Sequence, residues 1–405
     1  MTSQRANRPK IAWRATAPSI FLVSNSFTWY IFTYYIFSEI VDGPLIPETE
    51  KLLLYSIYYL GVAASAIIGS KFLPRIRTPS LRVWPFIGAL ATLSLSIISS
   101  GNTLTNAALA LFLGTSVGIG LPSCLSYFAN SVAIEKRGFI GGIIWSIVGF
   151  TVLIFGFLIT IVGQWAIIVA LTIWRLLGGS GFLVLTRKEA KISTQASPSY
   201  STVIRKREIL LYVFPWVMFC IINFAEAPVL NKVFGDDFAI ITVLEYAIVG
   251  FVAPIAGFFA DVVGRKRIVI AGFIMIGLEY AALSIFSSYP EAVYLYLFLD
   301  GVTWGLFLSV FFMAIWGDLG EHYDKEKYYT LGGLPFLLAG FLPILIRSQV
   351  SGDYSTAAFS LASFFLFLAV LPLMYAPETL PEKTIKDREI QTYLEKAQKE
   401  AEKYS

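Results

Sequence analysis

"GFFADVVGRKR", residues 257–267, decides how this chain is read. An aspartate, two arginines and a lysine crowd between Asp261 and Arg267. Apolar runs flank them, "FAIITVLEYAIVGFVAPIAGFFA" (238–260) before and "IVIAGFIMIGLEYAALSIF" (268–286) after. Each run is long enough for a membrane span, which needs about 20 apolar residues. The charged stretch between them then reads as a short turn at a lipid surface.

The composition agrees. Of 405 residues 56% are hydrophobic and 14% charged, and the mean hydropathy is +0.69. Soluble domains carry about 25% charged residues. The solvent for most of this chain is therefore lipid. The net charge of +4 is small. No basic patch interleaved with aromatics points to nucleic acid. Cys124 and Cys220 lie in apolar runs and read as small packing residues. With His322 the single histidine, no metal site is expected. There is no nucleotide loop and no nucleophile–base pair, so neither an enzyme nor a cofactor is expected.

Twelve spans are predicted: 15–38, 51–73, 82–100, 106–130, 138–162, 164–186, 209–231, 238–260, 267–288, 291–316, 330–347 and 355–376. The basic start "MTSQRANRPKIAWR" reads as a leader before the first span. Alternate connections test the count by the positive-inside rule. Of the 31 lysines and arginines, all but four fall on the N-terminal side. Lys51, Lys232 and Arg347 lie on the other side, and Arg175 lies inside a span. Both termini are therefore expected to be cytoplasmic, in a cell-membrane protein.

The longest connection, 187–208, is polar and basic. It divides the chain into a six-helix half (1–186), a linker (187–208), a second six-helix half (209–376) and a tail (377–405). A duplicated unit follows. Gly69 of "GSKFLPRIR" (69–77) and Gly257 lie 188 residues apart, as do Arg137 and Lys325. The tail has Ile390, Tyr393, Leu394, Ala397, Ala401 and Tyr404 at helical spacing and reads as a solvated helix, with docking as the alternative.

The pattern G-x-x-x-D-x-x-G-R-K, at Gly257, Asp261, Gly264, Arg265 and Lys266, resembles the inner-loop signature of the major facilitator superfamily. "KRG" at 136–138 and "APETLP" at 376–381 resemble turns of its sugar-porter-like and organic-ion-transporter-like members. The first-half copy departs from the pattern, with Leu73 for the aspartate and Ile76 for the second glycine. Asn130 stands where sugar porters carry an acid. The resemblance implies an all-α membrane protein of twelve helices in two halves. It also implies that the Gly257–Lys266 turn latches the halves together, where Asp261 can pair with Arg265 or face a neighbouring helix N-terminus. An anchoring role only is the alternative.

A charge inside a span is costly and marks function. Glu226, Glu245 and Asp300 fall on spans that the resemblance turns toward a central cavity, and they are the proton-coupling candidates. Interhelical hydrogen bonding is the rival reading. Glu279 and Arg175 fall on supporting spans, where packing or snorkelling is expected. Asn25, Tyr34, Tyr127, Trp145, Asn223 and Trp304 are the substrate-cavity candidates. This set suits a neutral polar or cationic small molecule. With Arg175 the single basic residue inside a span, a multiply charged anion is disfavoured. The expected function is proton-coupled uptake by alternating access, by a monomer. The alternatives are proton-driven export of drugs or metabolites, and a transporter-like sensor. The span-5 signature of drug exporters is missing from "GFIGGIIWSIVGFTVLIFG" (138–156), which favours uptake.

Overall fold

The computed structural model describes residues 13–98, 102–186, 197–346 and 355–381, together with Ile390. The leader residues 1–12, the first part of the linker and the tail-helix positions beyond Ile390 lie outside the described residues.

All regular structure described is helical. The first six helices are α1 (Trp13–Asp42), α2 (Glu48–Phe72), α3 (Arg77–Ser94), α4 (Thr103–Ser131), α5 (Arg137–Ile161) and α6 (Gln164–Leu185). After the short α7 (Tyr200–Ile204) come α8 (Arg207–Phe234), α9 (Phe238–Val263), α10 (Arg265–Phe286) and α11 (Ala292–Leu306). A π-helical segment, Phe307–Ile315, joins α11 to α12 (Trp316–Leu319). The chain continues through α13 (Glu326–Ala339), α14 (Leu342–Ile346), α15 (Ser355–Leu368) and α16 (Val370–Tyr375).

Among the described residues eleven helical stretches are long and apolar enough to cross a membrane. They begin with Glu48–Phe72 and end with Thr356–Tyr375. The expected first span, 15–38, lies within the thirty-residue α1 but is not among the eleven. Its buried Ser19, Ser24, Asn25, Ser26, Thr28 and Thr33 lower its hydropathy. Those polar groups face protein: α4, α5 and α6 all pack against α1. Ser19, Ser24 and Ser26 also donate to carbonyls of their own helix at 2.7 Å. These three hydroxyls are thus satisfied without water, whereas Thr28 Oγ1 has no partner.

Within the early helices α2 packs on α4 and α3 on α6. Within the later ones α9 packs on α11 and α10 on α15. The two sets meet where α5 lies along α9 and where α2 and α4 meet α13. The α5–α9 contact depends on missing side chains. A Cβ on Gly257 would stand 2.0 Å from the carbonyl oxygen of Gly138. Small residues let membrane helices approach this closely.

The π segment was not foreseen. Its sequence, "FLSVFFMAI", is wholly buried. π turns leave i→i+4 groups to be satisfied otherwise and mark functional places in helices. Here the Tyr329 hydroxyl donates to the Met313 carbonyl at 2.7 Å.

Candidate functional site

A cavity of about 240 Å³ opens between the two sets of helices. Tyr34 of α1, Trp145 of α5, Asn223 of α8, and Asp300 and Trp304 of α11 all line it, as does Glu245 of α9. Glu245 lies sixteen residues before Asp261, which is about 24 Å along a helix at 1.5 Å per residue. The cavity therefore sits toward the end of the bundle opposite the charged turns.

Asp300 is 1% exposed, and its Oδ1 has no hydrogen-bond partner. The Glu245 and Asp300 carboxyls lie within hydrogen-bonding reach of each other, with Tyr296 and Trp304 also beside Asp300. Ionised carboxylates only accept, so the pair forms a hydrogen bond when one of them holds a proton. Behind Asp300 lies Glu279 of α10, fully buried with both oxygens unpartnered. No lysine or arginine pairs with any of the three among the described residues. No group of three His, Cys, Asp or Glu among the described residues is arranged to hold a metal ion.

Three cavity expectations are corrected. Glu226 lies in a groove with Met218, Ile222, Leu361 and Phe365, between α8 and α15, away from Asp300's cavity. It is buried against α15, on a face that residue spacing within one helix does not reveal. Asn25 points to α6 instead: its amide donates to the Trp174 carbonyl at 2.7 Å and its oxygen accepts from Arg175 at 3.0 Å. Tyr127 is buried edge-on against Phe182 of α6, because it stands near the basic end of α4.

Arg175 and Glu279 do not snorkel; both are fully buried. The Arg175 guanidinium is sandwiched between Trp29 and Trp84, 4.3 and 4.4 Å from the ring centres. It also donates to Ser26 at 2.8 Å. It ties α1, α3 and α6 together and stands outside the cavity wall.

At the other end, the charged turn is the centre of an ion-pair chain. Gly264 reverses the backbone at φ 108°, a conformation that glycine adopts without strain. Asp261 accepts from the amides of Gly138 at 3.0 Å and Phe139 at 2.8 Å, at the start of α5. It also pairs with Arg265, so both of its expected contacts exist together. Arg265 reaches Asp318 at 3.2 Å, and Asp318 binds Arg137 of α5 at 2.8 Å. The alternating order Asp261, Arg265, Asp318, Arg137 crosses from α9 and α10 through α12 to α5. Each buried charge has an opposite neighbour, the condition for keeping ions out of water.

Several members of this assembly were missed in the sequence. Glu378 of "APETLP" accepts from the amides of Arg265 at 2.8 Å and Lys266 at 3.1 Å, at the start of α10. Lys266 donates to the Ala376 carbonyl at 2.9 Å. The first stretch of the expected tail is thus part of the turn. The linker also packs here: Lys327 reaches the Pro198 carbonyl at 2.5 Å, and Val203 of α7 is fully buried. Arg77, at the start of α3, binds Glu326 through two contacts of 2.5 and 3.0 Å and Asp324 at 3.3 Å. Lys325 donates to Asn130 at 2.8 Å. Burial pushes the Lys325 ammonium below the usual lysine range, and Glu321 opposes that shift.

Apolar helices thus surround a cavity, with mixed-charge turns toward one end of the bundle. The family model of the Major Facilitator Superfamily matches residues 15–327. The chain belongs to that superfamily of multi-pass membrane transporters. No curated protein matches it.

Proposed function

We propose that the protein is a secondary transporter that moves a small polar solute through the Asp300 cavity by alternating access, coupled to protons. The observation carrying this reading is the buried Asp300 in the cavity wall, with its Oδ1 lacking a partner and Glu245 beside it. A carboxyl that is sealed from one side and reached from the other can load a proton and release it elsewhere. The Asp261–Arg265–Asp318–Arg137 chain is the latch: it holds α5 against α9 and α10 while the cavity is closed at that end. Opening it lets the halves rock about the solute. Twelve spans in two halves, joined by the 187–208 linker with both termini cytoplasmic in the cell membrane, complete this reading. The basic end of the bundle is then the cytoplasmic end, and the transporter works as a monomer.

Proton coupling is tested in proteoliposomes that trap a pH-sensitive dye, against a panel of sugars, amino acids and amines. A transported solute should move protons through the wild type. Asp300→Asn should exchange that solute but neither accumulate it nor move protons. Uphill accumulation by Asp300→Asn equal to wild type would remove Asp300 from the mechanism. The direction of the proton movement decides between uptake and export.

A further inference from the structure

We infer that the solute is an organic cation, an amine or quaternary ammonium on an apolar body, held by Asp300 and Glu245 and caged by aromatic rings. This rests on the reading of the cavity as the transport site and narrows its substrate class.

Eleven of the twenty-one lining residues are aromatic. Phe27, Tyr30, Tyr34, Trp145, Trp304 and Phe336 are among them. Ring faces carry negative potential and attract a cation, and aromatic cages are a recurrent solution for quaternary ammonium. Carboxyls able to carry charge of the right sign are present without a basic partner. Glu245 and Asp300 line the cavity, Glu279 stands behind them, and no described lysine or arginine pairs with them. Asp300 is 1% exposed, lines the cavity and leaves Oδ1 without a donor. A buried acceptor that no protein donor satisfies calls for one from a ligand.

A hydroxyl-rich neutral solute such as a sugar fits this wall less well. Its recognition needs several free donors and acceptors, and the neutral ones here are partly committed. The Tyr59 hydroxyl donates to Tyr34 at 2.7 Å. Thr242 donates to the Phe238 carbonyl at 3.0 Å. The Asn223 amide donates to Tyr280 at 3.4 Å. What remains free includes Asp300 Oδ1 and the Trp145 Nε1 donor, too few neutral groups to match a hydroxyl-rich solute. An anion would meet two carboxyls and no cation. Arg175, buried among α1, α3 and α6, is held between Trp29 and Trp84 away from the cavity.

The inference is tested by binding, independently of transport. Purified protein is titrated with choline and with benzyltrimethylammonium, against 3,3-dimethyl-1-butanol, the neutral isostere of choline, and glucose. Quenching of the wall tryptophans Trp145 and Trp304 and a rise in melting temperature are the readouts. Both cations should bind saturably, and the two neutral solutes at least about tenfold more weakly, the factor that 1.4 kcal/mol represents. Glu245→Gln and Asp300→Asn, which alter charge and keep shape, should each weaken cation binding by a similar factor. Should Asp300→Asn fail to give monodisperse protein, Glu245→Gln alone decides. Neutral solutes binding as tightly as the cations would overturn the inference. So would unchanged cation affinity in the variants, or no saturable cation binding at all. Cation binding without transport in vesicles would leave the cation-binding site standing and sink the transport reading. Proton-coupled transport of a neutral solute would do the reverse.

Discussion

Two turns at the same end of the bundle hold the helix sets together, and they do so differently. Arg265 and Arg77 lie 188 residues apart, as do Asp318 and Asn130, and Lys325 and Arg137. The repeat therefore places the same kinds of position at both seams. At the first, Asp318 is fully enclosed and binds both Arg265 and Arg137. At the second, its counterpart Asn130 is neutral and accepts from Lys325 alone among the described contacts. Arg77 turns instead to Glu326 and Asp324, which flank Lys325 in sequence. The lost acid of the first-half motif is thus replaced across the interface. A broken sequence pattern leaves a different lock in place of an open gap. One seam is a buried chain of alternating charge; the other is a partly solvated arginine clamp.

The sharpest way to break this contrast is Asp318→Ala. It takes the shared carboxylate from two guanidiniums that are 0% and 2% exposed, leaving Arg265 with Asp261 and Arg137 with Glu321. Removing one member of a buried ion pair costs about 3–5 kcal/mol. The melting temperature of the detergent-purified protein should fall by the largest margin of any variant here; a loss no larger than that from an exposed lysine would mean the chain holds nothing.

Arg77→Gln attacks the second seam. Its side chain is 12% exposed, so water can replace part of what it gives Glu326 and Asp324. A smaller drop in melting temperature than for Asp318→Ala is expected. Equal drops would erase the difference between the seams.

Asn130→Asp restores the acid that the repeat lacks. It places a carboxylate beside Lys325 at an exposed position, where an ion pair contributes about 0–1 kcal/mol. A slight rise in melting temperature, reduced by salt, is expected. A fall would show that the neutral residue is required at this seam.

Much of this was legible because lipid imposes strong rules. The mixed-charge turn at 257–267, the apolar runs and the basic connections gave the spans, and the 188-residue register gave the repeat. Eleven of the expected twelve spans meet the length and apolarity criteria in the structure. The exception, α1, is polar because protein encloses it, and hydropathy cannot distinguish a protein-facing serine from a solvated one. Asp261 was legible because its motif is local. Asp318 was not, since its partners lie 53 and 181 residues away. The register does point to it through Asn130, a signal that was available and unused. Glu226 and Asn25 were misplaced for a related reason. The side of a membrane helix that faces the cavity depends on helix rotation, which neighbours set. Glu279 was assigned to support because of its span number, and its buried carboxyl stands near Asp300 without lining the cavity.

The central claim is that the Asp318 chain seals the cavity at the basic end. A single cysteine at Ala227, which lines the cavity, reports on this in a background with Cys124 and Cys220 replaced by alanine. Membrane-impermeant maleimide is applied from each face separately, to right-side-out and inverted vesicles. Added cysteines at Thr49 and Ser197, both exposed, identify which face is which. With Asp318 present, the Ala227 position should react only from the face bearing Thr49. With Asp318→Asn, reaction should appear from the face bearing Ser197 and decline from the other. Labelling that is identical with and without Asp318 would contradict the claim.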